Sequence, residues 1–277
     1  MWIFASINRA MKMKRFYLFP ALVFGLLISQ YAMAQSEVKL THDDKSALEG
    51  IIVEKYYVAD SADFADTLGA ALPKGSVTYR IYVDLKPNYS LQVVYGDEKH
   101  PLKIKTTTAF YNNVNCGALI GYNVSYLKVN EKAYALDSWI TISSAASNYA
   151  GVLKSEDPDG SVLKRRSLNK SDGFMNGNLP MIKPFNLDVG FFNNDSNAVM
   201  LSSNNAAWAA FTGVLSGSKG PTASNKVLIA QLTTNGKLSF DLNIQVGTPS
   251  GGAVRFVCAD AEGEEVKFDA LRLSDNK

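Results

Sequence analysis

Histidine and cysteine are scarce in this chain. Its 277 residues hold two histidines, His42 and His100, and two cysteines, Cys116 and Cys258. A zinc or copper site built on imidazole or thiolate needs more ligands than that. No Gly-x-Ser-x-Gly elbow presents a serine nucleophile, and no glycine-rich loop carries a phosphate or dinucleotide fingerprint. His100 lies near Asp97 and Glu98 in "YGDEKHPL", but neighbours in sequence are not a triad. A basic excess is missing as well. The formal charge is +2, yet Arg9, Lys12, Lys14 and Arg15 all sit within residues 1–34, which carry no acid. Beyond that segment 24 basic side chains face 26 acidic ones. Nucleic acid needs a basic face, so it is not an expected partner.

Long apolar runs are absent except at the start. Lys12, Lys14 and Arg15 precede Phe16–Ile28, thirteen apolar residues, and Ala32-Met33-Ala34 gives a small-x-small cleavage site before Gln35. That order is a secretory signal peptide over residues 1–34. Thirteen residues are too few to cross a bilayer core, which takes about 20. No membrane span is expected after cleavage, and the protein is expected to be exported, either periplasmic or extracellular. In such a compartment Cys116 and Cys258 could pair, closing a long loop and stabilising the fold. The alternative is two small buried apolar side chains.

What the chain does have is period-two alternation. "SVTYRIYVDL" sets Val77, Tyr79, Ile81 and Val83 on one face against Thr78, Arg80, Tyr82 and Asp84. "SLQVVYG" alternates Leu91, Val93 and Tyr95, and "PLKIKTTT" sets Leu102 and Ile104 against lysines. "AVRFV" and "EVKFDAL" predict two further short strands. In "KVLIAQLTTNGKLSFDLNIQVG" two alternating runs flank Asn235-Gly236. Asn-Gly suits a type I′ turn, so the spacing predicts a hairpin with one wet face. Helix signals are weak: "SADFADTLGAAL" predicts one short helix and "SSAASNYA" a turn or two. The expected fold is all-β, an antiparallel β-sandwich or jelly-roll-like arrangement. Residues 163–184, polar and rich in Gly, Asn and Pro, predict a linker loop. It separates two β-rich halves, 49–162 and 185–272, packed as one unit, with a lead-in at 35–48 and a tail at 273–277. "FYNN" (Phe110–Asn113) and "FFNND" (Phe191–Asp195), each followed by a tryptophan, hint at loose internal repetition.

Together "GSVTYRIYVDL", "FYNN", "LDSWITIS", "GVLKSEDPDGS", "FFNND" and "NKVLIAQLTTNGKLSFDLNIQVGTPSGG" resemble an uncharacterised family of secreted β-rich proteins of Bacteroidota. The likeness runs from about Gly50 to about Asp269. Longer members carry a C-terminal sorting domain of the type IX secretion system, and no such sequence follows "LRLSDNK" here. The resemblance implies export. It implies no activity and no catalytic residue.

Three groups of residues are candidates for a site. The first is "SEDPDGS". A helix–loop–helix calcium loop with Gly160 in sixth place would have Asp157 and Asp159 in third and fifth, but its twelfth place falls on Arg166, which cannot bind calcium. A looser calcium site could use Glu156, Asp157 and Asp159; the alternative is a Pro158-Asp159-Gly160 turn. No other cofactor is expected. The second group is aromatic: Tyr82, Tyr89, Tyr111, Tyr122, Trp139 and Trp208. Trp208 stands close to Asn204 and Asn205, a ring beside amides that could bond sugar hydroxyls, or else a packed anchor. The third is a carboxylate pair such as Asp84 and Asp241, which would have to lie about 5–9 Å apart across a cleft to hydrolyse a glycoside. The first expectation is a secreted, non-catalytic β-sandwich module that binds a glycan or a protein at the cell surface or outside the cell. The alternatives are a hydrolase of extracellular polymers and a structural envelope protein.

Overall fold

In the computed structural model the described residues are 39–61, 72–113, 117–127, 129, 132–157, 172–177, 179–188, 191–192, 197–211 and 217–274. The expected signal peptide, the helix expected after Ser61, Cys116, and the Pro158-Asp159-Gly160 turn with Asp159 lie outside them. Leu40–Lys277 is one compact unit. Among the described residues, no helix is long and apolar enough to cross a membrane.

The fold is an all-β antiparallel sandwich. One sheet runs β1 (Leu48–Val58), β2 (Val77–Leu85), β12 (Lys226–Thr234), β5 (Trp139–Ile140). A six-stranded sheet runs β16 (Val266–Lys267), β15 (Ala253–Val257), β14 (Asn243–Gly247), β3 (Ser90–Tyr95), β11 (Ala207–Phe211), β9 (Met181–Phe185). A third runs β10 (Met200–Ser203), β4 (Leu102–Thr106), β13 (Leu238–Asp241), β17 (Arg272–Leu273), and a small one runs β6 (Ser144–Ala146), β7 (Tyr149–Gly151), β8 (Phe174–Asn176). Among the described strands, all pairs are antiparallel except β15 with β16. The two β-rich halves are interleaved: β2 pairs with β12, β4 with β13, and β3 with both β11 and β14. Residues 163–184, expected as a linker, contain β8 and most of β9. The pairing that makes them strands is tertiary, and Pro184, which has no N–H to donate, fits only because β9 is an outer strand.

The main core lies between the sheets. Ile81, Val83, Val227 and Ile229 meet Leu91, Val94, Ile104, Trp208, Phe240 and Phe256, all buried. The opposite face of β2, polar by its alternation, carries Thr78, Arg80 and Tyr82, each 0 % exposed, and an irregularity in β12 between Leu228 and Ala230 brings Leu228 into the same layer. A second apolar cluster covers it, with Tyr56, Tyr82, Trp139, Phe174 and Leu228 as members. A central strand buried on both faces needs near-continuous apolar sequence, which is what "VLIAQL" in β12 supplies.

Two turns differ from expectation for local physical reasons. Asn235-Gly236 does not close a hairpin: β12 is flanked by β2 and β5, while β13 joins β4 and β17 in another sheet. Neither Asn235 nor Gly236 has positive φ, so the turn is not type I′. A Cβ at Gly236 would meet the hydroxyls of Thr106, Thr107 and Thr108 at 2.6–2.7 Å, and the chain crosses between sheets through that gap. "SSAASNYA", expected as helical turns, is the β6–β7 hairpin, with Asn148 at φ 72 in its corner. In β3 the inward residues are Leu91 and Val94, because a bulge opposite β14 inserts one residue and shifts the alternation. The repeated "FYNN" and "FFNND" segments meet in space: Phe110 packs edge-on against Phe191 and Phe192 at 6.1 and 5.9 Å, and the Asn112 amide donates to the Phe191 carbonyl at 3.0 Å.

Candidate functional site

The tertiary structure removes most of the aromatic candidates from the surface. Trp208 is 0 % exposed, and its indole N–H donates to the Thr141 carbonyl at 2.9 Å. It therefore offers no face to a ligand, and the expected stacking site at Trp208, Asn204 and Asn205 is not assembled. Asn204 and Asn205 stay at the surface in the β10–β11 turn, where the Asn205 N–H donates to Ser203 Oγ at 3.2 Å. Tyr82, Tyr89, Tyr111 and Trp139 are buried too. The Tyr82 hydroxyl donates to the Val152 carbonyl at 2.8 Å and that of Tyr89 to Asp44 Oδ1 at 3.0 Å. Only Tyr122 of the six stands out, 45 % exposed.

The acidic loop is tied down by its own fold. Glu156 closes a one-turn 3-10 helix, Lys154–Glu156, and accepts hydrogen bonds from Thr222 and Ser224 at 3.1 and 2.5 Å while pairing with Lys226. Burial opposes ionisation, but the bonds from Lys226, Ser224 and Thr222 hold its carboxyl below the ordinary value. Asp157 Oδ2 accepts the backbone N–H groups of Asp172 and Gly173 at 2.9 and 2.8 Å. Among the described residues, no three His, Cys, Asp or Glu side chains lie together in a way that would hold a metal ion.

The other chemical groups are likewise structural in their contacts. Asp84 sits half-buried on β2, where burial raises its carboxyl against the pull of Lys226. Asp241 lies on a different sheet, bonded to Arg272 at 2.6 Å. His100 is 3 % exposed, with Nδ1 3.3 Å from Asp97 and Nε2 3.4 Å from Glu265 and 3.2 Å from the Asp260 carbonyl. No serine, threonine or cysteine is among those partners, so His100 has no hydroxyl or thiol to activate there. Asp137 is 2 % exposed and accepts the N–H groups of Asn113 and Ala118 at 2.7 and 3.0 Å. Burial pushes its carboxyl up to about 8 despite those bonds. Cys258 is a buried free thiol, and burial pushes it up as well.

One surface does gather exposed side chains of a single chemical kind. Of seven exposed large apolar side chains among the described residues, Tyr122, Tyr126 and Leu127 fall within six positions, at 45 %, 40 % and 71 %. Their placement follows from Gly121. A Cβ there would collide with the Ser144 carbonyl and stand 2.9 Å from the Trp139 ring. The short 3-10 turn Gly121–Asn123 can therefore press onto β6 and turn Tyr122 and Asn123 outward. Ser147, in the β6–β7 turn, fixes the next residues: its backbone N–H and hydroxyl donate to the Val124 carbonyl at 2.9 and 3.2 Å, and its oxygen accepts the Tyr126 N–H at 3.2 Å. Tyr126 then lies 6.2 Å from Tyr149, which packs edge-on to Phe174 at 6.5 Å. Tyr149 stands directly opposite Asn176 on β8. Asn123, Asn148 and Asn176 are exposed around these rings. Residues 117–127, 138–153 and 174–182 contain no charged side chain.

Aromatic rings near amides and hydroxyls, on stretches of chain without charged side chains, suit a ligand that is neutral, hydroxylated and apolar on one face. Tyr126 and Tyr149 escape a reading of the sequence because nothing local marks them as exposed. The visible signal is the charge-free stretch itself. Comparison of the chain with protein-family models, with curated proteins and with solved structures gives no match.

Proposed function

We propose that this protein is an exported, non-catalytic β-sandwich module that binds a glycan, with Tyr122, Tyr126 and Tyr149 as the contact surface. Exposed Tyr122 and Tyr126, with Tyr126 beside half-buried Tyr149 of β7 and all three in stretches of chain without a charged side chain, carry the reading. Tyrosine suits the task because it buries large area at the cost of few torsions, and its hydroxyl can meet a sugar hydroxyl. Export rests on the N-terminal sequence, and mass determination of the mature protein tests it by locating a start at Gln35. Retention on immobilised neutral polysaccharides tests the binding. Tyr126→Ala should weaken retention by about tenfold while the unfolding midpoint stays near that of the unaltered protein; Tyr149→Ala should weaken it too, with a lower midpoint because its ring also packs on Phe174. Retention that ignores both substitutions would refute this surface.

A structural role in the envelope is favoured by a different observation. Met181, 62 % exposed, and Met200, 47 % exposed, stand on β9 and β10, the outer strands of two sheets. Uncovered apolar strand edges promote pairing between molecules. Sedimentation over a range of concentrations tests this: association abolished by Met181→Lys would support assembly, and a monomer throughout would remove it.

A further inference from the structure

A cleft of about 310 Å³ lies beside the tyrosine cluster, with Ser143, Asn176, Gly177, Ser218, Lys219 and Pro221 in its wall. Ligand pockets run from roughly 300 to 1,000 Å³, so this one takes a small group, of the order of one sugar ring. Its wall is chemically of one piece with the exposed surface. It holds no carboxylate, and Lys219 is its only charged side chain. The Ser143 and Ser218 hydroxyls bond each other at 2.6 Å, and Ser218 Oγ also reaches the Lys219 carbonyl at 3.3 Å. A hydroxyl oxygen has two lone pairs, so acceptor capacity remains at the wall. Gly177 keeps one end of the wall open, since a Cβ there would meet only Ala150, at 3.7 Å.

The cleft and the tyrosines share a residue. Asn176 lines the cleft and is the cross-strand partner of Tyr149. Side chains so paired have Cβ atoms roughly 4.5–5.5 Å apart. Ala150, the next residue of β7 and therefore on its opposite face, lines the cleft as well. The cleft thus opens round the end of β8 from the tyrosines, with Asn176 exposed at the corner. Ser143 adds a second sign of a built site. It is a non-glycine residue at φ 72, held there by its N–H to the Leu228 carbonyl and by the Gly151 N–H to its own carbonyl, both 2.8 Å. Backbone held in that region persists where the surroundings over-determine it, and such positions gather at ligand sites.

We infer that the cleft is a second subsite and that the protein takes an extended neutral oligosaccharide, one ring stacked on the tyrosines and the next unit turned past Asn176 into the cleft. This rests on the glycan reading of the tyrosine surface. Two adjoining subsites make affinity depend on chain length, whereas a lone aromatic platform binds one or two units with the same strength in any chain.

The test is calorimetric titration of the purified protein with ladders of neutral gluco- and xylo-oligosaccharides, from monosaccharide to hexasaccharide. Affinity should rise about tenfold or more between the shortest binding ligand and the longer ones. Gly177→Trp should cancel that gain while leaving the short ligand bound, because a Cβ at Gly177 meets only Ala150, at an ordinary 3.7 Å, and the indole would fill the cleft. Tyr126→Ala should weaken every length. Equal affinity at all lengths, or a gain that survives Gly177→Trp, overturns the second subsite and leaves the tyrosine reading standing. Binding of no member of the ladders, or binding indifferent to Tyr126→Ala, overturns the glycan reading and the subsite with it.

Discussion

The guanidinium carbon of Arg80 lies 3.7 Å from the ring centroid of Tyr56, with both side chains buried. Phe174 lies 4.7 Å from the same carbon. Nε–H donates to Gln231 at 2.9 Å and Nη1–H to the Gly173 carbonyl at 2.7 Å. Two aromatic faces and two oxygen acceptors thus replace water around a cation that, among the described residues, forms no ion pair. That arrangement joins β1, β2 and β12 to the segment leading into β8, and so to the sheet that carries the tyrosine surface.

Arg80→Ala should therefore cost on the order of 3 kcal/mol, from lost cation–π contact, a cavity, and two orphaned acceptors. Urea unfolding measures it. A loss well below about 1 kcal/mol would mean that the second apolar cluster holds together without the cation.

Gly121→Ala should destabilise by roughly 1–3 kcal/mol, because the added methyl meets the Ser144 carbonyl and the Trp139 ring, and backbone cannot yield as a flexible side chain does. The Trp139 environment should change with it, seen in near-ultraviolet circular dichroism. Glycan retention should fall in parallel, since the turn it strains is the one that presents Tyr122 and Tyr126. An unaltered spectrum would show that the turn is not pressed on Trp139.

Asp137 gives stability a pH slope of definite sign. Its folded value, about 8, lies above its ordinary value of 3.8, so the folded state keeps a proton that the unfolded chain has lost. Stability should then fall as pH rises from about 4 to about 8. Asp137→Asn should flatten that slope, although its amide will face the Ala118 N–H and lower stability at every pH. Denaturant midpoints across that range decide it; an equal slope in both proteins would assign the pH dependence elsewhere.

Calcium should leave the unfolding midpoint unchanged. Glu156 is engaged by Lys226, Thr222 and Ser224, and Asp157 by two backbone N–H groups. A ligand bound only by the folded state would raise the midpoint. A calcium-dependent rise, lost in Asp159→Asn, would make "SEDPDGS" a metal loop after all.

Composition and alternation were enough to determine the class of fold, because side-chain period two is a property of each strand by itself. "SVTYRIYVDL" shows it, and β2 spans Val77–Leu85 with Ile81 and Val83 facing the main core. What lies over the other face is not local. Arg80 and Tyr82 read as a wet face until residues up to 93 positions away, Gly173 and Val152, take their polar atoms and the second cluster closes over them. The Asn235-Gly236 turn is the same lesson: its dipeptide permits a hairpin, but β12 already has partners on both edges, so the chain passes to another sheet. Exposure divided the aromatic residues in the same way. Trp208 sits between alanines and Tyr126 between Ser125 and Leu127, and neither setting marks its ring as buried or exposed. One is in the core and the other at the surface because burial depends on which distant strands pack above a residue, and only the tertiary structure decides that.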